Sequence, residues 1–166
     1  MRPLAMKAPT FAFLLRHPAH LVALGFGTGL SPVAPGTAGT LVAFPIAWLL
    51  DAYAGTAGWL IAIVAITLAG TWCAQVTARD LGVVDHGGIV IDEIAAFLLV
   101  LFFAGTDPWR AGVAFVLFRF FDIVKPPPIR QIDRATTNAL GVMADDFAAA
   151  GYALVVLAVG ERLFGR

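Results

Sequence analysis

Five apolar runs, separated by short polar stretches, limit the folds that are open to this chain. They occupy residues 41–50, 58–74, 89–104, 109–124 and 147–160. Hydrophobic residues make up 60% of the 166-residue chain and charged residues only 13%, which is far from the balance of a soluble domain. The runs therefore predict an all-α, multi-pass helical membrane bundle of about five apolar helices.

The lengths of the runs limit how each helix can sit in a bilayer. Several are shorter than the roughly 20 residues that a helix needs to cross a membrane unaided. Such helices are expected to be tilted, flanked by interfacial residues, or partly buried in a compact bundle. We expect a single domain over residues 1–166, with residues 1–20 peripheral, at the interface. Residues 24–40, rich in glycine, proline, serine and threonine, are predicted to be loop.

The basic residues are distributed unevenly between the two ends of the predicted helices. With the N-terminus inside, segments 1–40, 75–93 and 119–146 carry eight lysines and arginines, and the outer segments carry three. An excess of this kind marks the cytoplasmic side of a membrane protein. The acids are biased in the same way, so a polar site is predicted at the cytoplasmic face.

Two polar stretches, residues 85–93 and 118–146, are predicted to form that site. The triple proline at 126–128 must end the fourth helix, since proline lacks an amide donor. Five acids are expected to converge there, and they would repel one another unless a cation lay among them. Oxygen ligands without a histidine or cysteine cluster suit Mg²⁺. The candidate metal and catalytic residues are Asp92, Glu93, Asp122, Asp145 and Asp146.

A structural explanation of these acids remains open at this stage. Asp92, Glu93, Asp145 and Asp146 are expected at helix N-termini, where they could simply stabilise the helix dipole. Asp122 is expected at a helix C-terminus, where the dipole opposes it. This position is harder to explain by capping.

Basic and hydroxyl side chains in the same stretches are candidates for binding phosphate. The predicted set is Thr37, Arg119, Lys125, Arg130 and Arg134. Residues 35–40 lead into the first helix, so their amides and hydroxyls could cradle a phosphate, or could form an ordinary helix start. The basic residues could equally pair with nearby acids. His86, next to Asp85, is a candidate proton carrier.

Other classes of protein are disfavoured by charge and by cysteine content. The formal net charge is zero, so the chain lacks the basic excess that is typical of nucleic-acid-binding proteins. Its single cysteine, Cys73, excludes an internal disulfide. Cys73 and Arg79 have the spacing of cysteine phosphatases, but no glycine lies between them to form a phosphate loop. A small transporter or channel with an acidic ion site would place its acids near mid-helix, whereas these are predicted at helix ends.

Four motifs in order resemble the phosphatidylglycerophosphatase A family of bacterial membrane lipid phosphatases. They are GFGTGLSPVAPGTAGT at 25–40, DHGGIVIDE at 85–93, FRFFDIVKPPPIRQIDR at 118–134 and GVMADD at 141–146. The resemblance covers about residues 20–150. Ala96 replaces a usual glycine, and residues 137–140 lack the glycines that usually precede the last motif.

The resemblance implies a fold, an activity and a location. The expected enzyme is a Mg²⁺-dependent hydrolase that removes the terminal phosphate of phosphatidylglycerophosphate to leave phosphatidylglycerol in phospholipid biosynthesis. It would lie in the bacterial inner membrane with its site facing the cytoplasm and its phospholipid substrate in the bilayer. Hydrolysis of another phosphate ester remains an alternative, and the oligomeric state is open.

Overall fold

The computed structural model describes residues 9–83, 86–135 and 138–164, and within these ranges it is helical with no strand. The predicted all-α class is thereby confirmed for the described residues. The elements in chain order are α1 (Phe11–Leu14), α2 (Pro18–Ala23), a 3-10 segment (Gly25–Leu30), α3 (Pro35–Tyr53), α4 (Gly55–Leu81), α5 (Ile91–Ala104), α6 (Pro108–Val124), α7 (Ile129–Ala135) and α8 (Ala139–Phe164).

Helix α5 is the centre of the bundle. It packs against α3, α4, α6 and α8, and most of its side chains are buried. A helix that is apolar on all sides requires such a position, because every face needs an apolar neighbour. Phe97 of α5 stacks its ring 5.4 Å from Phe44 of α3 and 5.4 Å from Phe118 of α6. This aromatic group holds three helices together below the polar end of the bundle.

Two of the described helices are long and apolar enough to cross a membrane, Gly55–Leu81 and Ala139–Leu163. Helix α5 has only 14 residues. Its burial within the bundle explains how an apolar helix can be so short. The predicted arrangement of five spanning helices is therefore not confirmed and remains a prediction.

Three helix boundaries differ from those predicted. Helix α3 begins at Pro35, so residues 35–40 are helical rather than loop, and proline is well suited to a first helical position. Helix α4 continues to Leu81 and ends at Gly82, whose φ of 75° gives a left-handed cap. Helix α8 begins at Ala139, well before the predicted start at 147.

The early start of α8 corrects the placement of two acids. Asp145 and Asp146 lie almost two turns inside the helix instead of at its N-terminus. They therefore cap no exposed amides, since the unpaired amides of a helix belong to its first turn. A capping role cannot explain this pair. Asp92 and Glu93, by contrast, lie in the first turn of α5 as predicted.

The long helices run alternately up and down, so that their ends meet in two groups. At one end, the starts of α3 and α5 meet the end of α6 and the early turns of α8. At the other end, Asp51 of α3 accepts hydrogen bonds from Trp59 of α4, at 2.8 Å, and from the Thr106 hydroxyl after α5. The alternation therefore collects the polar stretches at one end, as the sequence predicts.

Candidate metal and phosphate site

Three carboxylates form a tight cluster at the polar end of the bundle. Asp92 and Glu93 come from the first turn of α5, and Asp146 comes from α8. One oxygen from each lies within 4.8 Å of the others. Asp92 is 3% exposed and Asp146 is 4% exposed. Carboxylates this close and this buried repel one another unless a proton or a cation lies among them.

The other two predicted acids flank this cluster and are held by cations. Asp122 Oδ2 lies 2.6 Å from Arg119 Nη1, one turn back on α6. Asp145 pairs with Lys125. The five predicted acids are thus near one another: three form the cluster, and the other two, Asp122 and Asp145, lie outside it in ion pairs. Asp122 still lies close enough to interact electrostatically with Asp146 and Glu93.

Two buried carboxylate oxygens, Glu93 Oε2 and Asp145 Oδ1, have no hydrogen-bond partner among the described residues. Buried polar atoms are nearly always satisfied, so such atoms call for an explanation. Oxygen atoms left over beside a carboxylate cluster are what a hard divalent cation requires. The donor set therefore fits Mg²⁺.

Arg119 stands between the carboxylates and α3. Its Nη1 lies 3.5 Å from Glu93 Oε1 and donates to Thr40 Oγ1 at 3.4 Å, in addition to its contact with Asp122. The side chain is only 13% exposed, and its Nε is buried without a hydrogen-bond partner in the part of the chain that the structure describes. Arginine carries five N–H donors, so this guanidinium retains capacity to bind an anion.

The start of α3 packs directly on the carboxylate of Glu93. A Cβ on Gly36 would overlap Glu93 Oε1 and would lie 3.0 Å from Arg119 Nη2. Glycine is therefore needed here for the close approach of the helix. Backbone amides of a first helical turn have no partners within the helix and favour anions. Thr37, which is half-buried, lies in this turn as the sequence predicts.

Lys125 joins the ends of three helices. It caps α6 in a left-handed conformation, with φ 46°, and its Nζ donates to Asp133 of α7 at 2.6 Å and to Asp145 of α8. Burial alone would lower the pKa of Lys125, but the hydrogen bonds to Asp133 and Asp145 outweigh it and raise the pKa. Lys125 therefore remains charged. Its ammonium group, which was predicted to bind phosphate, is instead bound by the carboxylates of Asp133 and Asp145.

Arg130, Arg134 and His86 are the remaining candidate residues in the two predicted polar stretches. Arg130 and Arg134 of α7 have exposed side chains. The ring of His86 accepts a hydrogen bond from the Gly88 amide at 3.0 Å, which shapes the turn before α5. Asp85 lies outside the described residues. The predicted roles of these side chains remain predictions.

Two site residues, Thr40 and Asp133, were missed in the sequence. Asp133 reaches Lys125 across the proline break, and no helical period connects residues on either side of such a break. Thr40 lies one turn after Gly36, on the same face of α3. That spacing was the available signal, but the predicted loop over 24–40 concealed it.

Comparison with known proteins identifies the family of the chain. The family model for phosphatidylglycerophosphatase A matches residues 21–161. The phosphatidylglycerophosphatase A of Haemophilus influenzae is 43% identical over 144 residues, covering 86% of this chain and 88% of the relative. That of Escherichia coli is 40% identical, with 81% and 78% covered.

A third relative has a different name. It is a provisionally named phosphatidylinositol-3-phosphatase of Bacteroides thetaiotaomicron, 36% identical over 96% of this chain and 100% of its own length. No solved structure is matched. With a family model over most of the sequence and two curated relatives at 40–43% identity, the chain belongs to the phosphatidylglycerophosphatase A family.

Proposed function

We propose that Asp92, Glu93 and Asp146 bind Mg²⁺ and that the chain hydrolyses the terminal phosphate of phosphatidylglycerophosphate at this site. Membership of the family makes the chain a lipid phosphatase. The observation that carries the metal proposal is the buried cluster, whose oxygens lie within 4.8 Å of one another beside an unsatisfied Glu93 oxygen.

The substrate phosphate is proposed to lie beside the cluster, next to Arg119 and the start of α3. Arg119 and the first-turn amides of α3 would bind phosphate oxygens that the carboxylates themselves would repel. Uncatalysed hydrolysis of phosphate monoesters is extremely slow, so charge stabilisation must supply most of the acceleration. A bound Mg²⁺ would polarise the phosphate and lower the pKa of a water molecule.

The surrounding side chains hold the charged groups of the site in place and keep water away from them. Asp122 holds Arg119 through an ion pair of 2.6 Å, and Lys125 holds Asp145 beside the cluster. The low exposure of Asp92 and Asp146 keeps bulk water from screening these charges. Donors fixed in such a site do not have to reorganise as the reaction proceeds.

The surface next to the site suits a lipid substrate. Phe120, Ile123 and Val124 belong to the same turns of α6 as Arg119 and Asp122, and they are 54%, 67% and 55% exposed. An apolar exterior at the level of the site fits a phosphate presented at a bilayer surface, with acyl chains remaining in the membrane. Family and apolar helices indicate a membrane protein. We propose the bacterial inner membrane, with the site facing the cytoplasm, from the excess of basic residues at this end.

One assay tests the proposal. Purified protein in mixed micelles would be given phosphatidylglycerophosphate, phosphatidylinositol 3-phosphate or glycerol 3-phosphate, and released phosphate would be measured with EDTA or with Mg²⁺. We expect fastest release from phosphatidylglycerophosphate, loss of activity in EDTA and its recovery on addition of Mg²⁺. Full activity in EDTA would refute the metal proposal. A preference for the inositol lipid would refute the head-group assignment.

A further inference from the structure

The hydroxyl of Thr40 links the start of α3 to Arg119. Thr40 is fully buried, and its hydroxyl donates to the carbonyl of Gly36 at 2.8 Å. A hydroxyl has one proton, so its oxygen can only accept in any second bond. That second bond comes from Arg119 Nη1 at 3.4 Å.

This bond bears on the direction in which the guanidinium points. Nη1 is the atom that faces Thr40, Glu93 and Asp122. Nη2 lies close to Gly36 at the start of α3. Because the guanidinium is planar and rigid, fixing Nη1 also fixes Nη2.

Glu93 and Asp122 alone would not select this orientation of the Arg119 guanidinium. Glu93 and Asp122 both attract the guanidinium, and both lie on the side of the metal cluster. Thr40 is a neutral acceptor on a third helix, so it adds a contact from α3 without adding negative charge to a site that is proposed to bind phosphate.

Other threonines in the bundle show the ordinary structural role of a threonine in an apolar helix. Serine and threonine in apolar helices often donate to the carbonyl four residues earlier. Thr67 does so to Ile63 at 2.8 Å, and Thr71 does so to Thr67 at 2.7 Å, both on α4. Thr40 makes the same bond but is fully buried and also accepts from a cation.

We infer that Thr40 is a positioning residue for the phosphatase reaction: its hydroxyl oxygen orients Arg119 so that Nη2 and Nε face the phosphate at the start of α3. The inference rests on the proposed phosphate role of Arg119. The inference adds the Thr40 hydroxyl to the proposed site as a group that acts on the substrate through Arg119.

The test compares Thr40→Val, which keeps the shape and removes the hydroxyl, with Thr40→Ser, which keeps the hydroxyl. Thr67→Val is the matched control, because it loses the same bond within its helix. We expect kcat/KM to fall about ten- to hundredfold in Thr40→Val, the scale of a hydrogen bond to a charged group. Thr40→Ser should recover most of it, and Thr67→Val should behave as the unchanged protein.

Two further measurements separate positioning from folding. Inhibition by inorganic phosphate should weaken in Thr40→Val, while the Mg²⁺ concentration for half-maximal activity stays the same. In an Arg119→Ala background, Thr40→Val should have no further effect, since its partner is gone.

Each other outcome has a defined meaning. Normal turnover in Thr40→Val together with impaired Arg119→Ala would overturn the inference and leave the proposed function intact. Normal turnover in Arg119→Ala would overturn its phosphate role, and the inference with it. A lowered melting temperature in Thr40→Val that tracks the activity loss and is not rescued by serine would show a structural role only.

Discussion

The backbone of Gly36 lies against the carboxylate of Glu93, with no room for a side chain between them. A Cβ at residue 36 would have to displace either the Glu93 oxygen or the first turn of α3. We expect Gly36→Ala to reduce phosphate release by at least about a hundredfold, the scale of losing one well-placed electrostatic group.

Gly151 of α8 provides the matched control for Gly36. Apart from its chain neighbours and the local backbone of α8, no atom of the described residues lies within 4 Å of a Cβ built there. Alanine is the better helix former by about 1 kcal/mol, so Gly151→Ala should keep its activity and melt at an equal or higher temperature. Equal activity losses in both variants would show that the packing against Glu93 has no special role.

A substitution at Asp146 tests whether the clustered acids serve the reaction or only the fold. Asp146→Asn keeps the size of the side chain and removes one charge from the cluster. We expect activity to fall at least roughly a hundredfold, while the melting temperature in EDTA stays equal or rises because repulsion is relieved. Specific activity in Mg²⁺ and melting in EDTA, on one preparation, measure both effects.

An acid that only caps a helix should respond in the opposite way. Asp107 accepts from the amides of Trp109 and Arg110 at the start of α6, at 3.2 and 3.1 Å. Asp107→Ala should cost about 1 kcal/mol of stability and leave turnover per folded molecule unchanged. If Asp146→Asn behaved like Asp107→Ala, the metal assignment would be wrong.

Lys125 is expected to act as a link between helices rather than as a phosphate ligand. Lys125→Met leaves Asp145 buried without its cation. Breaking a buried ion pair costs about 3–5 kcal/mol, and the 26% exposure of Lys125 places the loss at or below the low end. Adding Asp145→Asn should restore part of the melting temperature. A raised KM with unchanged stability would instead support direct phosphate binding.

His20 should make stability depend on pH. It is buried between Thr77, 3.0 Å from its Nδ1, and Asp80, 3.3 Å from its Nε2. Burial lowers its pKa below the ordinary 6.5, although the nearby Asp80 opposes the shift. Between that lowered pKa and 6.5 the unfolded chain binds more protons than the folded one, so stability falls as pH falls through this window.

The change His20→Gln removes the titrating group. The loss of stability between pH 7 and pH 5.5 should be smaller in this variant than in the unchanged protein, as measured by thermal unfolding in detergent. An identical pH slope in the two proteins would contradict the expectation and assign the slope to other groups.

Cysteine labelling tests the proposed orientation. In a Cys73→Ser background, Asp107→Cys marks the end of the bundle away from the site, and Arg130→Cys marks the site end; both positions are exposed. A membrane-impermeant thiol reagent applied to intact spheroplasts should label residue 107 and spare residue 130 until the cells are lysed. The reverse pattern would place the site outside.

The sequence predicted where the long helices lie more reliably than where they end. Apolar runs mark surfaces that face lipid or a core. Four of the five runs fall wholly within a helix, and the run 89–104 begins two residues before α5. Residues 139–146 look like loop because they include two acids. They are helical because those acids face the cluster and Lys125 rather than water.

Contacts within one helix could be predicted, whereas contacts between helices could not. Arg119 and Asp122 are three residues apart, a spacing that places two side chains on one face of a helix, and they form an ion pair. The convergence of the acids followed from alternation alone. Which acids cluster and which lie outside in ion pairs depends on how each helix is rotated about its own axis. A uniformly apolar sequence does not predict that rotation. The central place of α5 was hidden for the same reason.

The cluster draws two of its carboxylates from the central helix and the third from α8, the last helix of the described chain. During synthesis, Asp92 and Glu93 therefore leave the ribosome well before Asp146 does. A nascent chain halted before α8 holds an incomplete site, whatever the folding of its earlier helices. The proposed metal site is thus completed late in biogenesis, only when α8 docks against α5.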